Sequence, residues 1–314
     1  MFKITQDNFG HFGSLQIKNS KRGILLEIIQ DFGAVINKLI INSSPFSFIQ
    51  GYQNAEELTK THPFFSRSAK LFPFPNRLEN GQYQFQQQTF TLPANFPWSQ
   101  DAVHGLLYNQ PFSILRTDAN VDYAEVTLRY NTEHLCAGFP HSFLLDVIYR
   151  IDIDGVLTCT TEITNTGDNS LPYGDAWHPY FSLGCERDQV KLTMPSSQEL
   201  VSESGLPTGS FKPFDQFAKG AWLGDAELNH CFQFELSRPI ALSLERADQR
   251  ASIRYQQDAS YPFIQLYTPN SESTLAIEPM TCPANAFNNH IGLKELSPNQ
   301  LERFSWQCQV SYQA

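Results

Sequence analysis

Charge is scarce in this 314-residue chain: Asp, Glu, Lys and Arg make up 17% of it, and 22 basic residues face 32 acidic ones. The net charge of -10 and the lack of a basic cluster exclude nucleic acid and anionic membrane as expected partners. The same balance weighs against a phosphorylated ligand, unless a few well-placed arginines override it. Long apolar runs are missing too. The best, residues 23–29, is interrupted by Glu27 and falls far short of a bilayer span. The opening residues 1–7 lack the apolar core of a signal peptide, so a cytoplasmic protein is expected. Cysteine is sparse and scattered, at 136, 159, 185, 231, 282 and 308, with no C-x-x-C pair. That excludes a disulfide framework and fits reduced thiols. His230-Cys231 has no second pair at ligand spacing, so no metal is expected. Helical periodicity is weak, no internal repeat occurs, and no Gly/Ser/Pro-rich linker divides the chain.

What the chain does have is aromatic side chains, with 25 Phe and 12 Tyr, and a recurrent period-2 pattern. Residues 14–18 alternate. The Asn80-Gly81 turn signal precedes two more alternating stretches, so residues 78–93 predict a turn and a hairpin. A strand pair is expected around the polar segment 165–170. Further strands are expected over 263–268 and at 276–278, the last ended by Pro279. Residues 196–225, rich in Gly, Pro and polar residues, predict a long loop that shapes a binding site. Together these features predict an all-β chain, a large antiparallel β-sandwich forming a single domain over residues 1–314.

Candidate chemistry lies in four segments. His178 sits in Asp175-Ala176-Trp177-His178-Pro179-Tyr180-Phe181, a titratable ring among aromatics. It fits either a hydrogen-bonded core histidine or a proton donor beside a sugar. Glu278, in Ala276-Ile277-Glu278-Pro279, is a carboxylate where burial is expected. It fits either a salt-bridged strand end or a general base raised by desolvation. Asn76 and Arg77 emerge from a proline-stiffened loop, where Arg77 offers a planar fork of donors or an ordinary ion pair. His104 precedes Gly105 and is either a turn residue or a binding group.

In this order, those motifs resemble the aldose 1-epimerase (galactose mutarotase) family. The resemblance runs from Pro75-Asn76-Arg77 through Trp177-His178-Pro179-Tyr180-Phe181 to Ile277-Glu278-Pro279 and Asn285-Ala286-Phe287, with Gly205-Leu206-Pro207-Thr208-Gly209 and Tyr267-Thr268 alongside. It implies the galactose mutarotase-like β-sandwich, no cofactor, and interconversion of the α and β anomers of a free aldose by a monomer or homodimer. It also implies Glu278 as general base, His178 as general acid, and Arg77 and His104 as groups that bind sugar hydroxyls or the ring oxygen. One position departs from the family pattern. Asn229 stands where members usually carry Asp, keeping an acceptor oxygen but losing the charge and gaining a donor. The rival readings are a hexose-6-phosphate 1-epimerase using Arg67, Lys70 and Arg77, a non-catalytic sugar-binding protein, and a glycosidase pairing Asp175 with Glu278.

Overall fold

The computed structural model describes residues 1–235, 239–270 and 272–313. Two large antiparallel sheets dominate. One has nine strands, running from Ser113–Ala119 through Tyr123–Thr132, Phe143–Asp152, Val156–Asn165 and the C-terminal Leu301–Tyr312 to Ala251–Gln257, Ile240–Arg246, Val190–Thr193 and Ala221–Trp222. The other has eight, with Asn229–Gln233, Phe263–Tyr267 and Leu275–Met280 at its centre. A four-stranded meander, from Lys3–Phe9 to Val35–Ile40, precedes them.

Alternation explains why the two sheets meet. In Leu275–Met280, Leu275 and Ile277 join the main core, as do Ile264 and Leu266 of Phe263–Tyr267. Side chains one step along each strand point to the opposite face. Across the core, Trp177 of the eight-stranded sheet meets Trp306 of the nine-stranded one edge to face at 6.1 Å, and Phe181 meets both Tyr255 and Trp306. Each such ring, fully buried, stabilises the packed state by roughly 2–3 kcal/mol.

Four expectations need correction. The segment 165–170 does not close a hairpin. Val156–Asn165 pairs with Phe143–Asp152 and the C-terminal strand, whereas Leu171–Tyr173 pairs with Lys294–Leu296, so the turn carries the chain out of one sheet. Pro279 does not end its strand, which continues to Met280 with Ile264 opposite the proline. The segment expected as a long loop is largely a hairpin, Ser197–Glu203 with Leu206–Phe214, at the edge of the eight-stranded sheet. An 11-residue helix, Ala55–Phe65, was not expected from the weak helical pattern. The Asn54 side chain caps it by accepting from the Glu57 N–H, and it ends at Ser66 in the left-handed region, three residues after Pro63. The predicted hairpin after Asn80-Gly81 is present as Gln82–Phe85 and Gln88–Thr91.

Candidate active site

Strand register brings the two central residues together. The short strands Ala176–Trp177 and Tyr180–Phe181 flank Leu275–Met280 on one side, with Ala176 opposite Met280 and Tyr180 opposite Ala276. Carrying that register inward two residues from either end puts His178 opposite Glu278. On the other side, Gln265 is the direct partner of Glu278. A row Gln265–Glu278–His178 therefore crosses three neighbouring strand segments, on the face turned away from the core. The His178 backbone is clamped, donating to Ala69 O at 3.1 Å and accepting from Ser68 N at 2.8 Å. Its ring stacks on Tyr180 at 5.0 Å, and the Tyr180 hydroxyl donates to Phe65 O.

His178 Nε2 lies 3.3 Å from Glu278 Oε1, and both side chains are nearly sealed. His178 is the ion-pair partner of Glu278 among the described residues, and its Nδ1 has no hydrogen-bond partner. Burial pushes the Glu278 carboxyl well above the usual carboxylate range and lowers the His178 imidazole to about 4. Desolvation thus favours the uncharged arrangement, with one proton on the pair.

A second cluster faces this pair. Asn76 and His104 both adopt left-handed backbone, and His104 N donates to Asn76 O at 2.8 Å. The His104 turn is pinned on both sides by Asn95, whose amide bonds Val103 and Gly105. Gly105 has φ +71°, and a Cβ there would lie 2.3 Å from Phe72 O, which requires glycine. The Asn76 N–H donates to His104 Nδ1 at 3.3 Å, so the ring proton belongs on Nε2 as a donor. Burial, together with the nearby His178 and Arg77, holds His104 well below the ordinary histidine value and keeps it neutral. The Asn76 side-chain oxygen accepts from Arg77 Nη1 at 3.1 Å, and the guanidinium lies over the Trp98 ring at 5.2 Å. Gly205 packs against the same guanidinium, with φ +82° and a Cβ position 2.9 Å from Nη1. The hairpin mistaken for a loop thus does shape the site, from behind Arg77.

All six residues singled out from the sequence, Asn76, Arg77, His104, His178, Asn229 and Glu278, line one pocket of about 280 Å³. That is near the small end of the roughly 300–1,000 Å³ typical of small-molecule sites. Sequence reasoning missed Gln265, Trp98, Phe64, Phe65 and Ser66, which line it too. Gln265 donates to the Asn229 side-chain oxygen at 2.9 Å. Its position was accessible in principle, two residues before Tyr267 on a strand whose alternate side chains are core. The helix-borne residues carried no such signal.

The rival assignments lose their residues. Arg67 is buried and paired with Glu57 and Glu272, and Lys70 is sealed against Asp175 at 2.5 Å. Neither lines the pocket, so the basic cluster expected for a phosphate is not assembled there. Asp175 is likewise outside it, which removes the second carboxylate of a glycosidase. Among the described residues no group of three His, Cys, Asp or Glu side chains could hold a metal, and no helix is long and apolar enough to cross a membrane.

The sequence profile of the aldose 1-epimerase family matches residues 14–309. Escherichia coli K12 YihR, whose function is uncharacterized, is 29% identical over 243 residues, covering 74% of this chain and 75% of its own. Among solved structures, a galactose mutarotase-like protein from Clostridium acetobutylicum superimposes with a TM-score of 0.87 at 17% identity over 99% of both chains. Galactose 1-epimerase from Lactobacillus acidophilus does so at 0.81 and 17% identity, over 100% of this chain and 99% of its own.

Proposed function

The chain belongs to the aldose 1-epimerase family, and from that premise we propose that it interconverts the α and β anomers of a free aldose by acid–base ring opening and reclosure. The observation that carries this reading is the His178–Glu278 contact of 3.3 Å at a pocket floor ringed by hydrogen-bond donors. A cyclic hemiacetal carries its hydroxyl oxygen and its ring oxygen on the same carbon. Opening it requires a base at one oxygen and an acid at the other, so the two groups must stand side by side.

Glu278 takes the proton from the C1 hydroxyl while protonated His178 gives one to the ring oxygen. The C1–ring-oxygen bond breaks and an aldehyde forms. Opening starts from the minor distribution of the one-proton pair, with the proton on His178, and leaves Glu278 protonated and His178 neutral, the distribution that burial favours. Rotation about the C1–C2 bond presents the other carbonyl face. Reclosure returns each proton along the same path: His178 takes the hydroxyl proton and Glu278 protonates the carbonyl oxygen. Arg77, Asn76, neutral His104 and Asn229 hold the remaining sugar oxygens. Anomer exchange followed by polarimetry and by NMR, on a panel of free and phosphorylated aldoses, tests the reading. Exchange accelerated for a free aldose supports it. No acceleration with any member refutes it.

A further inference from the structure

We propose that Gly205, at the tip of the hairpin over residues 197–214, is a positioning residue that sets sugar affinity by fixing the Arg77 guanidinium. The inference rests on the sugar-pocket reading above and deepens it. Arg77 is held differently from the arginines that sit in ion pairs. Arg67, Arg129, Arg150, Arg246 and Arg303 each pair with a carboxylate, whereas among the described residues no carboxylate pairs with Arg77. Among those residues its side chain makes one hydrogen bond, from Nη1 to Asn76 Oδ1 at 3.1 Å, so Nε and Nη2 keep donors for a ligand. A long side chain without a salt bridge keeps rotamer freedom that binding must then remove.

Gly205 takes away much of that freedom. A Cβ built there would lie 2.9, 3.0 and 3.2 Å from Nη1, Cζ and Nε. Three nearly equal distances put the glycine over the flat face of the guanidinium. No side chain fits at that approach unless the arginine moves. The Trp98 ring also lies against the guanidinium, at 5.2 Å.

The hairpin delivers a glycine to this place. Ser204 and Gly205 both adopt left-handed backbone, with φ of 52° and 82°, as a two-residue turn of the primed type requires. Glu203 pairs with Leu206 beside the turn, and the register breaks between the Ser202–Pro207 and Leu200–Phe211 pairs. Gly205, Leu206 and Pro207 are half-buried, whereas residues 202–204 and 208–213 are exposed. The tip therefore meets the body of the protein through these three residues, the first of them on Arg77.

The test uses glucose and galactose, with anomer exchange measured by NMR, binding by calorimetry and stability by urea unfolding. Gly205→Asn places a Cβ against the guanidinium in a residue that tolerates left-handed backbone, and Gly205→Ala does so with strain. Gly209→Ala is the control for strain, since its φ is +83° in the same hairpin with nothing within 4 Å of the Cβ position. In both Gly205 variants KM and Kd should rise about tenfold, near the loss of one hydrogen bond to a charged group, at nearly constant kcat. Gly209→Ala should lower stability alone. In an Arg77→Ala background, Gly205→Asn should leave kcat/KM unchanged. The proposal is overturned by KM and Kd unchanged in both Gly205 variants, by an equal rise in Gly209→Ala, or by the same loss in the Arg77→Ala background. In each case exchange by the unaltered chain leaves the epimerase reading standing. Binding weakened in the expected pattern, with no exchange of either sugar, would instead overturn the epimerase reading and keep the role of Gly205.

Discussion

Two buried acid–base pairs start three residues apart on one segment, Asp175 with Lys70 and His178 with Glu278, and they share little beyond burial. Asp175 and Lys70 are both fully sealed at 2.5 Å. Asp175 also accepts from the Tyr261 hydroxyl at 2.6 Å, and Lys70 donates to Ala176 O and lies over the Trp177 ring at 4.7 Å. Those polar groups face protein on every side. The His178–Glu278 contact is longer, and both of its residues line a pocket that Asp175 and Lys70 do not reach. Buried charge alone therefore does not mark a site. A buried acid–base pair that lines a cavity does.

The largest effects should separate the pairs by what is lost. Glu278→Gln should lower anomer exchange by about 10² to 10⁴-fold in polarimetry while calorimetry still detects sugar binding. Full activity in this variant would remove the base assignment. Asp175→Asn should act on folding instead. It leaves Lys70 buried without a counter-charge, a loss of about 3–5 kcal/mol measurable by urea unfolding, with turnover per folded molecule little changed. Loss of turnover at unchanged stability would erase the distinction between the pairs.

Proton titration sharpens the comparison. Burial lowers His178 to about 4, so the acid limb of kcat/KM should lie near that value. A limb near 6.5 would mean that the titrating histidine faces water. Outside the pocket lining, His62 is sealed, shares a hydrogen bond of 2.7 Å between its Nδ1 and the Tyr52 hydroxyl, and is lowered by burial to about 3. A histidine depressed in the folded state takes up a proton on unfolding. Its contribution to stability is whole above about 6.5 and is lost as pH falls toward about 3, by up to about 1.4 kcal/mol per pH unit. Urea unfolding of His62→Gln between pH 6.5 and 4.5 should show that much less slope than the unaltered chain. Equal slopes would place the acid sensitivity elsewhere.

Much of this was legible in the sequence, for identifiable reasons. Period-2 alternation marked the strands, and Asn80-Gly81 marked the turn into its hairpin. Five of the six pocket-lining candidates came from motifs whose polar members sit among apolar ones, and Asn229 came from the family resemblance. What escaped was non-local. No local pattern states that 165–170 leaves one sheet rather than folding back. Pro279 signals a strand end by lacking an N–H, yet only the one bond toward Trp177 is forgone, and the ladder holds on either side of it through Ile277 N to Pro179 O and Thr281 N to Asp175 O. Trp98, Phe64 and Phe65 reach the pocket only because a loop and a helix end meet there.

The smallest expected effect tests the one departure from the family pattern. The Asn229 oxygen already accepts from Gln265, so its NH₂ is the group left for a ligand. Asn229→Asp replaces that donor with a charged acceptor, while the Gln265 bond survives and gains charge assistance. Because Asn229 lies on the wall and Glu278 on the floor, the change acts on binding and not on proton transfer. KM should shift a few-fold, downward for sugars presenting a hydroxyl there and upward for those presenting an acceptor, at nearly constant kcat. An equal fall in kcat and kcat/KM would instead tie Asn229 to the transition state. The functional pair would then include a third member reached through Gln265, which Glu278 faces across the strand.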